Sequence, residues 1–111
     1  MGQLTYGNTT TPFQVDDELM AHLRTVMVTK LRRNESFPLT LTTEAGQAET
    51  LWIHASIPMR FVTECEEEEP LDRSILVAMM NAANSARGLD LTRDEFAVAP
   101  SQARHLHALS A

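Results

Sequence analysis

Residues 16–37 read DDELMAHLRTVMVTKLRRNESF, and the rest of the chain is laid out around this stretch. Leu19, Leu23, Val26, Met27 and Leu31 fall at i, i+4, i+7, i+8 and i+12, which is one face of an α-helix. Asp16 is placed to cap the free amides of the first turn, and Asp17 and Glu18 put negative charge at the positive end of the dipole. Val15 and Met20 occupy the two positions of a hydrophobic staple. Arg32 and Arg33 match the negative C-terminal end. The spacing predicts a helix from about Asp17 to Arg33, with its apolar face turned to a core.

On both sides of this helix the period changes from 3.6 to 2. Before it, Gln3–Tyr6 and Pro12–Val15 alternate as two short strands, joined by a turn in which Gly7 and Asn8 tolerate positive φ. After it, Phe37, Leu39 and Leu41 alternate with polar neighbours, with Pro38 marking a strand that starts at an edge or pairs on one side there. Leu51 and Ile53, then Ile57, Met59 and Phe61, continue a meander of half-buried strands. CEEEEP (65–70) reads as a loop, because adjacent like charges resist burial and proline stops a strand. A second helix opens at Asp72 with Ile75, Leu76, Met79, Met80 and Ala83 inward and Gly88 as its C′ residue. Leu89 and Leu91 suggest a last strand, and Pro100 to Leu109 has the pattern of one short helix capped by Ser101.

These elements predict a single α+β domain over residues 1–92 in the order β-β-α-β-β-β-α-β. Two helices lie on one face of an antiparallel sheet, and a tail follows over 93–111. The 111 residues suffice for one core. The net charge of −6 disfavours general attraction to nucleic acid or anionic membranes. The chain lacks a long apolar span or a basic-then-apolar leader, and its single cysteine, Cys65, cannot form an internal disulfide. Cytoplasmic residence is therefore expected.

Charge is unevenly distributed. From Leu19 to Asn34 there are four basic residues and no acid, whereas from Glu44 to Asp72 eight acids face one base, Arg60. Arg24, Lys30, Arg32 and Arg33, with His22 beside them on the polar flank of the helix, are candidates for an anion site. Helix capping and solubility are the simpler alternative. Trp52 and His54 share one strand face and are candidates for stacking a base or filling a partner's pocket. The simpler alternative has Trp52 packed under a helix and His54 at the hydrophobic edge. If both helices cover one sheet face, the other carries Trp52, His54, Arg60 and Val62, which suggests a homodimer. His105-x-His107 lacks further local ligands, Cys65 sits among glutamates, and no Gly-rich phosphate loop is present, so neither metal nor cofactor is implied.

LTYGN near the start, AHLRTVMVTKLRRNESF, LWIHASIP and LDRSILVAMMNAANSARGL occur in order and span most of residues 3–91. Together they resemble a family of small actinobacterial proteins, whose members often carry the name ATP-dependent DNA ligase or are called a domain of unknown function. CEEEEP and the tail after Thr92 depart from its usual pattern. The resemblance transfers no functional residue, but its usual name implies a nucleotide- or phosphate-dependent enzyme. Ligase nucleotidyl transfer needs a lysine nucleophile in Lys-x-Asp-Gly. Lys30, the only lysine, is followed by Leu31, Arg32 and Arg33, and no Asp-Gly occurs. The residues therefore favour a non-enzymatic interaction module, accessory to nucleic-acid transactions, with an anionic partner at the basic helix end.

Overall fold

In a computed structural model describing residues 2–8, 11–63 and 71–96, the capped stretch forms α1 (Asp17–Arg32). The Asp16 carboxylate accepts from the Glu18 N–H at 3.2 Å, and Val15 and Met20 are both buried where a staple requires them. Thr25 and Thr29 return their hydroxyls to the carbonyls four residues back, which satisfies these polar groups within the helix. The helix stops at Asn34, whose φ of 57° is left-handed. The Glu35 N–H then reaches the Lys30 carbonyl and the Asn34 N–H the Leu31 carbonyl, the paired bonds of a Schellman motif.

Strands β1 (Gly2–Tyr6), β2 (Phe13–Val15), β3 (Phe37–Thr42), β4 (Ala48–Ile53), β5 (Met59–Val62) and β6 (Leu89–Asp90), with α2 (Arg73–Ala83), complete an α+β domain in the expected element order. The strands divide into two three-stranded sheets, β2-β1-β5 and β4-β3-β6, rather than one. The division occurs at the β4–β5 connection. Pro58 has no N–H to donate, and the Ser56 N–H is taken by the His54 ring at 3.0 Å. The chain therefore turns a corner, and β5 pairs with β1 through Leu4↔Phe61 and its neighbours. Pairing is antiparallel except for β6, which returns from α2 to lie parallel to β3.

One core of Leu4, Met20, Leu23, Met27, Phe37, Leu39, Ile53, Met79 and Leu89 joins both sheets to the helices. Phe96, beyond the expected domain limit, is also buried in it. Asp72 caps α2 through Ser74 and Ile75, but the helix ends at Asn84, so Gly88 is not its C′ residue. Gly88 serves a close approach instead. At φ +82° a β-carbon there would stand 2.4 Å from the Pro38 carbonyl oxygen. The CEEEEP loop, the 100–109 helix and the His105-x-His107 pair lie outside the described residues. No helix among the described residues is long and apolar enough to cross a membrane.

Candidate functional site

Helix α1 carries two rows at i, i+4, i+8 spacing, one facing inward and one outward. The inward row is His22–Val26–Lys30. His22 is fully buried, not on a polar flank as its type suggests. Its Nδ1–H donates to the Glu18 carbonyl at 2.6 Å, and its Nε2 accepts the Asp72 N–H at 2.7 Å. These partners select the neutral tautomer protonated on Nδ1. Lys30 is 5% exposed, and its ammonium donates to Asn84 Oδ1 at 2.5 Å and pairs with Glu35 at 3.2 Å. Asp72 and Asn84 are the two caps of α2, so α1 holds α2 at both ends and the helices run side by side in one direction. Lys30 thus leaves the expected anion site, since its charge is spent within the fold.

The signal for this was present in the sequence. Lys30 follows Leu23 by seven, Val26 by four and Met27 by three, which puts it in the middle of the apolar stripe. A lysine there must bury its stem and find an acceptor for its head.

The outward row is Arg24–Val28–Arg32. Both arginines are exposed, and Val28 between them is 44% exposed. Arg33 is exposed as well but points about a quarter-turn away from Arg32, at 100° per residue. None of the three has a carboxylate within ion-pair distance among the described residues. Beside the row, an open groove of about 360 Å³ lies between α1 and the β4–β5 corner. Met27, Val28, Leu31, Ile57, Met59 and Phe61 make it apolar, and Arg32 is its charged rim.

Trp52 is 60% exposed and does not pack under a helix. Alternation along β4 explains this, because Ile53 faces the helices and Trp52 the opposite side, which neither helix covers. His54, Arg60 and Val62 are exposed too, although Trp52 and the β5 pair belong to different sheets. The Tyr6 hydroxyl donates to the Trp52 carbonyl and accepts the His54 N–H at 3.1 Å, which ties the two sheets at this corner. The His54 ring accepts from Ser56 and shapes the turn. Among the described residues no group of three His, Cys, Asp or Glu is arranged to hold a metal ion.

This geometry defines a small α+β domain with a helix-borne basic surface beside an apolar groove. The chain belongs to a family described as a domain of unknown function, DUF7882, whose model matches residues 1–94. No curated protein and no solved structure matches it.

Proposed function

We propose that the protein is a non-enzymatic interaction module that engages an anionic partner through the outward face of α1. The observation that carries this reading is the unequal treatment of the basic residues. Lys30 is neutralised by Glu35, while Arg24 and Arg32 face solvent without a carboxylate among the described residues, in a chain with fifteen acids against nine bases. Exposed guanidinium groups with free donors suit carboxylates or phosphates from outside. Polyglutamate is a direct probe. Binding that weakens with added salt, and is lost in Arg24→Ala/Arg32→Ala at an unchanged urea midpoint, supports the reading. Equal binding by the double variant contradicts it.

The ligase name borne by the small actinobacterial proteins that the chain resembles points to a nucleotide-dependent enzyme instead. That activity would require a free Lys30 amine, and the amine is buried and doubly bonded. Intact mass after incubation with ATP and magnesium is expected to stay unchanged, and an added adenylyl group would revive the enzyme reading. The exposure of Trp52 favours a second reading, self-association through the face that also carries His54, Arg60 and Val62. Sedimentation showing a monomer at high micromolar concentration would remove it. A reducing, cytoplasmic setting belongs to the same proposal and rests on the lone Cys65.

A further inference from the structure

The outward row and the groove adjoin: Val28 belongs to both, and Arg32 closes the row and rims the groove. We infer that this composite surface docks an acidic–apolar helix of another protein, one presenting an acid, an apolar residue and an acid at i, i+4 and i+8. The inference rests on the reading of α1 as the binding face and names the class of partner. Charge complementarity selects the flanking acids. The two arginines stand about 12 Å apart along the helix, the length of eight residues, and a partner helix repeats that distance with its own row. The groove selects the central apolar residue. Its walls are aliphatic, sulfur and aromatic, and the charged phosphate backbone of a nucleic-acid duplex gains nothing by entering them. At about 360 Å³ it is large enough for an apolar side chain and part of its neighbour. A second copy does not fit this description, because neither α1 nor α2 carries an acid–apolar–acid row.

Three synthetic helical peptides on an alanine-rich background test this, with rows Glu–Leu–Glu, Glu–Ser–Glu and Lys–Leu–Lys. The Glu–Leu–Glu peptide is expected to bind at least tenfold more tightly than either of the others. Ala55, exposed, also lines the groove. Ala55→Trp, which fills it, and Val28→Ser are each expected to weaken peptide binding at least fivefold while polyglutamate binding persists. Equal affinity for Glu–Leu–Glu and Glu–Ser–Glu, or indifference to both groove variants, overturns the docking surface and leaves the arginine reading standing. Tighter binding of a DNA duplex than of the peptide, or a dimer abolished by Ala55→Trp, also overturns it. Failure of every anionic probe, polyglutamate included, removes both the docking surface and the reading it rests on.

Discussion

The two rows of α1 have the same spacing and similar residue types, yet opposite fates. His22–Val26–Lys30 faces α2, and its polar atoms are satisfied by Glu18, Asp72, Asn84 and Glu35. Arg24–Val28–Arg32 faces solvent, and the described chain supplies it with no carboxylate. A polar group surrounded by core must be bonded by the fold or destabilise it, whereas an exposed guanidinium is under no such constraint. Basic charge on this helix is therefore two populations. The inward one fixes how α2 sits, and the outward one remains for something else.

Removing His22 should break the comparison most visibly. His22→Ala would strand the Asp72 N–H and open a cavity, at a combined cost of about 3 kcal/mol in urea unfolding. Little change would mean that the α2 cap does not depend on it. Lys30→Ala should cost about 2 kcal/mol, through the lost ammonium bonds and stem packing. Lys30→Met, which keeps the stem, should recover part of that. A full recovery would show that packing alone matters.

Glu35→Gln sharpens the contrast within the inward row. Glu35 is 43% exposed, so removing its charge should cost under about 1 kcal/mol. A cost equal to that of Lys30→Ala would make the ion pair, not Asn84, the dominant anchor. The outward row should respond least. Arg24→Ala and Arg32→Ala are each expected to stay within about 0.5 kcal/mol of the parent.

Much of this was legible in the sequence, and the gaps have definite causes. The cap at Asp16, the staple of Val15 with Met20 and the alternation in β3 and β4 are local, and each formed where local chemistry placed it. The split into two sheets depended on a corner at His54–Pro58 whose bonds involve Tyr6, nearly fifty residues away, and no local pattern encodes that. Gly88 was legible as a left-handed residue, but the reason for it is Pro38, a tertiary neighbour. Trp52 admits two readings, exposed on a strand face or packed under a helix, and strand parity with Ile53 decides for the uncovered side. The binding candidates separated for a similar reason. KLRR reads as one basic cluster in sequence, but 100° per residue sends Lys30 inward, Arg32 to the groove and Arg33 elsewhere.

The claim that the outward row serves binding and the inward row serves the fold is tested most directly by one paired measurement. Urea midpoint and polyglutamate affinity are compared in Arg24→Ala/Arg32→Ala and in Lys30→Met. The arginine variant should keep its midpoint and lose binding at least tenfold, while Lys30→Met should lower the midpoint and bind like the parent wherever it is folded. The reverse pattern, with binding lost through Lys30 and stability lost through the arginines, would contradict the division.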